Sequence, residues 1–147
     1  MRNDVVLCWE ENGFLRPSHF TLHEFESPDG VVVISRGLVT SLERIRRDLP
    51  TMVYGPVKII ITSGTRSEAY NAELAKKLGW TNEGGLVAHD SRHLPRYGGI
   101  AADFYAIFDQ PGQTVRVPRD PLAVVARRYF SYVKADYEDG HVHGDNR

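Results

Sequence analysis

Residues 100–107 read I-A-A-D-F-Y-A-I, and this alternation constrains the chain more than any other stretch. A period of two belongs to a strand, so Ala102, Phe104 and Ala106 share one face and Asp103 and Tyr105 the other. The first face needs a core. Asp103 then looks away from it, which is ordinary for a solvated strand and informative only if other groups converge on the same side.

The period changes across 36–49, where Leu38, Leu42, Ile45 and Leu49 recur at helical spacing, with Ser35 placed to cap the start and Pro50 to close the end. V-K-I-I-I-T at 57–62 is rich in β-branched residues and is predicted to be a central strand. Ser67 is expected to cap a helix to about residue 78, with Gly79 as its stop and Ala69, Leu74 and Leu78 as its inward stripe. Residues 81–99 are polar, glycine-rich and without period, the signature of a long loop. After the strand, Gln110-Pro111-Gly112 predicts a turn and 114–117 a returning hairpin strand. Asp120 followed by Pro121 predicts a helix to about residue 133, and strands are expected at 134–137 and 141–145. Nearer the N-terminus, 5–9 reads as a short strand or a docking arm, 20–25 as an extended cover over the core, and 31–34 as a strand. This order predicts one α+β domain, a mostly antiparallel sheet flanked by helices.

Composition narrows the function classes. A chain of 147 residues is long enough for one domain with its own core. A net charge of -1 argues against a general nucleic-acid binder, and Arg44, Arg46 and Arg47 read as the solvated face of a helix. Cys8 is the one cysteine, a small residue in an apolar strand, so neither a disulfide framework nor a cysteine metal cluster is expected. The first residues, M-R-N-D-V-V-L-C-W-E-E, resemble neither a signal peptide nor a membrane span. The expectation is a protein made in the cytoplasm without a signal peptide and without membrane insertion.

The chemistry-bearing residues are His93, Asp103, His141 and His143. Each has an ordinary explanation alone: a histidine in a polar loop, an outward carboxylate, a surface strand. His141 and His143 stand two apart and so point the same way along a strand. Two imidazoles and a carboxylate can hold zinc and leave its fourth position open, as catalytic rather than structural zinc sites do. Such an ion brings the pKa of a bound water toward neutrality. The water's proton then needs an acceptor, and Glu138, Asp139 and His141 all lie close to His143 in sequence. Arg66, just after the strand at 57–62, is placed to meet developing negative charge or a substrate carboxylate, with a structural ion pair as its alternative role.

The block S-G-T-R-S-E-A-Y-N at 63–71 resembles the S-G-Y-R-S-x-x-Y-N block of the zinc D-alanyl-D-alanine carboxypeptidases, a group that includes phage L-alanyl-D-glutamate endopeptidases and shares its fold with hedgehog domains. F-T-L-H-E-F-E-S at 20–27 is similar to the family's F-x-x-x-E-F-x-S segment. Ser91, His93, Gly99, Ala101 and Asp103 echo its S-x-H-x-x-G-x-A-x-D motif, and V-H-G-D at 142–145 its closing element. The resemblance implies a hedgehog/DD-peptidase-like fold and a zinc peptidase domain over 20–147, and the apolar run at 5–9 leaves 1–19 as an N-terminal arm or edge strand. It implies zinc ligands at His93, Asp103 and His143, a substrate or oxyanion role for Arg66, a substrate-side place for Ser91, and a companion role for His141. The implied substrate is the stem peptide of bacterial peptidoglycan, and the implied protein a cell-wall hydrolase of endolysin type, acting at the wall after release or as part of a virion, with contacts to a virion or to further copies of the chain.

Two departures leave alternatives open. His93 and Asp103 stand farther apart than the motif has them, the extra residues falling within L-P-R-Y-G, so His89 competes with His93 as ligand. Many members carry an acid three residues before the last histidine, where this chain has Gly140, so Glu138, Asp139 and His141 all stand as candidates for the base. A scaffold that has lost its chemistry, serving in a virion or at a cell surface, and a cytoplasmic D-Ala-D-Ala dipeptidase compete with the cell-wall peptidase.

Overall fold

β4 (Ala101–Gln110) is the axis of the fold, as its alternation requires. The computed structural model describes residues 4–51 and 55–147. Ala102, Phe104 and Ala106 are buried, and Asp103 and Tyr105 lie half-buried on the other face. β3 (Val57–Ser63) pairs antiparallel along one side of β4. On the other side β7 (Val142–Asp145) pairs with its first part and β5 (Gln113–Arg116) with its last. β6 (Tyr132–Lys134) adds to β7, so the path runs β3-β4-β7-β6 with β5 beside β4. The segment at 57–62 is therefore an edge strand rather than the central one expected. Branched residues say that a segment packs on a pleated face; they do not say how many neighbours it has. The architecture is α+β with antiparallel sheets, as the element order predicts.

The apolar face of the sheet is covered by α1 (Arg36–Asp48) and α3 (Arg119–Ala126). Ser35 caps α1 by accepting from the Leu38 N–H at 3.1 Å, and Leu38, Leu42, Ile45 and Leu49 are wholly buried. Each such side chain contributes roughly 1.5–3 kcal/mol by leaving water. α3 departs from expectation at both ends. Its cap is Pro118 rather than Asp120, and it stops at Ala126 rather than near 133. Pro121 still falls within the first turn, where its missing N–H costs nothing. β6 consequently starts two residues earlier than the strand expected at 134–137.

β1 (Val6–Glu11) and β2 (Phe14–Thr21) form a hairpin about Asn12 and Gly13, both at positive φ, the turn that matches strand twist. Trp9 and Phe20 carry it into the same core as α1, whereas Cys8 on β1 is exposed. Residues 1–3 of the expected 1–19 arm lie outside the described residues. The extended cover expected over 20–25 ends at Thr21. A 3₁₀ turn at Leu22–Phe25 replaces the rest, because Glu24 closes a capping box on the Thr21 N–H at 2.7 Å. Nor is 31–34 a strand: Val33 exchanges both backbone bonds with the Thr65 hydroxyl instead, at 2.9 and 3.0 Å.

α2 (Glu68–Leu78) starts at Ser67 and stops at Gly79 as predicted. Its inward face is different: Asn71 and Ala75 are buried, while Ala69 and Leu78 are exposed. The expected stripe misses because this helix packs against the polar 81–99 loop, where Asn71 donates to the Ala88 carbonyl at 3.1 Å. Among the described residues no helix is long and apolar enough to cross a membrane.

Candidate metal centre

Strand register brings the first two groups together. Asp103 on β4 lies directly opposite His143 on β7 in the antiparallel ladder, so both side chains leave the same face of the sheet. His93 comes from the loop and is held from three directions. Its carbonyl accepts from the Arg66 N–H at 2.9 Å, its N–H donates to Ser91 Oγ at 3.3 Å, and its ring Nδ1 donates to the Gly64 carbonyl at 2.7 Å. Gly64 is required there, since a Cβ would lie 2.6 Å from the Phe25 backbone.

The three groups converge closely. His93 Nε2 lies 3.2 Å from Asp103 Oδ1 and 3.2 Å from His143 Nδ1, and His143 Nδ1 lies 2.9 Å from Asp103 Oδ1. Ligands of a four-coordinate ion with bonds of about 2.0–2.1 Å stand roughly 3.3 Å apart. The outer partners fix the tautomers. His93 Nδ1–H is spent on Gly64, and His143 Nε2–H donates to Asp145 Oδ2 at 2.7 Å. When both rings are neutral, the remaining ring nitrogens therefore present lone pairs toward a carboxylate. Three electron-pair donors facing one another repel unless a cation or protons lie among them. His93, Asp103 and His143 thus form a mostly buried group able to hold a metal ion.

The support extends outward. Asp145 is fully buried on β7 and receives Arg147 Nε and Nη2 at 2.8 Å each. Arg147 in turn stacks over Tyr132 with 3.8 Å between the guanidinium carbon and the ring centroid. A carboxylate on the outer nitrogen of a ligand histidine orients the ring and raises its basicity. Burial alone would push the Asp145 carboxyl up, but Arg147 and His143 outweigh it and hold it well below the carboxylate range. Asp103 behaves alike: burial opposes ionisation, and the hydrogen bonds from His143 and His93 overcome it. For His143 burial favours the neutral ring, and Asp103 and Asp145 together reverse that and raise it.

The group floors a cleft of about 420 Å³ that Arg66, Ser91, Tyr137 and His141 also line. His141 Nε2 lies 3.9 Å from Asp103 Oδ2, its ring stacks on Tyr137 at 3.9 Å, and its Nδ1 meets Asp139 Oδ1 at 2.5 Å. Asp139 and Glu138 are exposed and are not among the cleft's lining residues; Asp139 reaches the cleft only through His141. Arg66 buries its Nε without a partner, and its Nη1 makes a long 3.4 Å bond to Asn71. Ser91 is buried beneath His93. His89 lies elsewhere, stacked on Trp80 at 3.8 Å. Burial pushes the Tyr137 hydroxyl up to about 12, with the Asp103 charge second.

Sequence reasoning did not assign Asp145, Arg147, Tyr137 or the Gly64 carbonyl to the site. Asp145 had a signal: residues two apart on a strand share a face, so His143 and Asp145 belong together as His141 and His143 do. The Gly64 carbonyl had none, because any residue carries one. No family model, curated protein or solved structure matches the chain.

Proposed function

We propose that the chain is a zinc peptidase that cleaves the D-amino-acid-containing stem peptides of bacterial peptidoglycan. One observation carries the proposal: two imidazole nitrogens and a carboxylate oxygen converge within 3.2 Å at the floor of a cleft, each histidine tied on its outer side. The resemblance of 20–27, 63–71, 91–103 and 142–145 to the zinc carboxypeptidase family supports the same reading. His93, Asp103 and His143 would hold the ion. Zinc bound there supplies Lewis acidity and the means to activate water at neutral pH.

The chain's own groups supply the rest. His141 presents Nε2 to the cleft as proton acceptor, and Asp139 on Nδ1 keeps that nitrogen unprotonated and stabilises the imidazolium formed. The same ring then returns the proton to the leaving amine. Arg66 lines the cleft with its guanidinium held, among the described residues, only by the long Nη1 bond to Asn71, and offers its positive charge to the oxyanion or to a substrate carboxylate. Tyr137 keeps its proton across the neutral range and serves as a hydroxyl donor at the cleft wall. The site of action is the bacterial cell wall.

Elemental analysis of protein purified without added metal, with synthetic stem peptides as substrates, tests the proposal. About one zinc per chain, lost in His93→Ala and His143→Ala but retained in His89→Ala, is expected together with peptide cleavage. Two histidines and a carboxylate also suit iron(II), and iron in place of zinc would overturn the assignment. Protein that takes up no metal would mark the domain as a scaffold.

A further inference from the structure

We propose that Leu78 and Leu86 form a subsite for an alkyl side chain of a peptide lying across the metal centre, an inference that rests on the peptidase reading above. The cleft is chemically lopsided. From 74 to 88 the lining is apolar except for Thr81 and includes Leu74, Leu78 and Leu86, whereas Asp90 and Arg92 later in the same loop, and Lys134 and Arg147 from β6 onward, put charge on the rest. Leu86 is 78% exposed and Leu78 45%, so neither side chain contributes much to the core.

Their placement is nonetheless built. The Leu86 N–H donates to the Leu78 and Gly79 carbonyls at 3.2 and 3.0 Å, and Val87 N–H donates to Gly79 O at 2.9 Å. Gly85 passes so close to Gly79 that a Cβ would lie 2.2 Å from its carbonyl carbon. Val87, buried beside them, anchors the turn. Leu86 is thereby fixed next to Leu78 at the rim of the cavity that holds the metal group. An apolar rim on a reactive cleft is used when a substrate's own apolar surface covers it. The charged groups of Asp90, Arg92, Lys134 and Arg147 around the rest of the cleft favour an alkyl group less than this rim does, so the rim gives the substrate a direction.

The test uses the full-length chain and stem pentapeptide analogues in which each alanine is replaced in turn by glycine, 2-aminobutyrate or norvaline. Steady-state kinetics are measured on zinc-loaded protein, and binding to metal-free protein is followed by amide chemical shifts. At one alanine position KM is expected to fall about fourfold per added methylene while kcat holds. Leu86→Ser, an exposed substitution, is expected to flatten that dependence, and Leu78→Ser to do the same. Hydrolysis indifferent to alkyl length, or a dependence that survives both variants, overturns the subsite and leaves the peptidase reading standing. An alkyl trend in binding without any cleavage overturns the peptidase reading and keeps the subsite. A wild-type dimer that Leu86→Ser converts to monomer shows a second copy on the rim and overturns the subsite. Absence of both binding and cleavage overturns both.

Discussion

Replacing Asp145 separates the ligand set from its support. The carboxylate is fully buried, takes His143 Nε2–H at 2.7 Å, and takes two bonds of 2.8 Å from Arg147. Asparagine has the same shape but one acceptor oxygen. In Asp145→Asn either His143 or Arg147 faces an amide N–H instead of an oxygen, and the negative charge behind His143 is gone. Loss of such an outer partner costs about 10–100-fold in metal affinity, or roughly 1.4–2.7 kcal/mol. Asp145→Ala does more, since it strands both donors. Breaking a buried charge pair costs about 3–5 kcal/mol of stability. Arg147 is 40% exposed, so water compensates it in part and the lower end of that range applies. The assay is competition for zinc with a chromophoric chelator near pH 8, where protons compete least for imidazole, paired with denaturation of the metal-free proteins. Asp145→Asn is expected to keep most of its stability and lose metal affinity. A well-folded Asp145→Asn that binds zinc within twofold of wild type would refute the argument and reduce Asp145 to an anchor for the chain end.

Asp139→Asn should leave metal content unchanged and lower kcat by up to about 10⁴, the cost of losing the carboxylate that sets a catalytic imidazole's tautomer; unaltered turnover would remove the His141–Asp139 pair from the mechanism. Gly144→Ala puts a Cβ about 2.5 Å from the Phe130 ring, between His143 and Asp145 on β7. Overpacking of this kind costs about 1–3 kcal/mol, and urea denaturation should show it alongside weaker metal binding, whereas an unchanged midpoint would contradict the packing described. The pH dependence of metal-free protein follows from three groups. The folded pKa values of Asp103 and Asp145 are depressed, so their stabilisation is present above about pH 4 and lost as pH falls through the folded values. That of His143 is raised, so its stabilisation is complete below about pH 6.5 and lost as pH rises through the folded value. Thermal denaturation of metal-free protein should therefore show greatest stability between about pH 4 and 6.5; a midpoint that keeps rising from pH 6 to 9 would be inconsistent with it.

Much of the fold was legible because its signals are local. Ser35 with Leu38, Leu42 and Ile45 specifies α1, and Ser67 with Gly79 brackets α2, since caps and period act within one or two turns. Asn12-Gly13 was equally local, and it explains β2, which a reading centred on 5–9 and 20–25 passed over. Where packing competes with local preference the reading failed. α3 stops at Ala126 because the chain after Phe130 pairs with β7, an interaction the helical pattern near 120 cannot contain.

The site divides in the same way. Asp103 on the polar face of an alternating strand, and His141, His143 and Asp145 at alternate positions near the end, are properties of the chain's own period. Their convergence is not. It depends on a register that sets Asp103 opposite His143, and on a loop drawn in until His93 Nδ1 finds the Gly64 carbonyl while His89 is left on Trp80. Asp139 meets His141 Nδ1 only two residues away along the chain, a contact that is local. Side-chain identity and facing direction follow from bonds between near neighbours in sequence. Distances between groups tens of residues apart follow from how sheets and loops close over a core, and those closures belong to the whole chain.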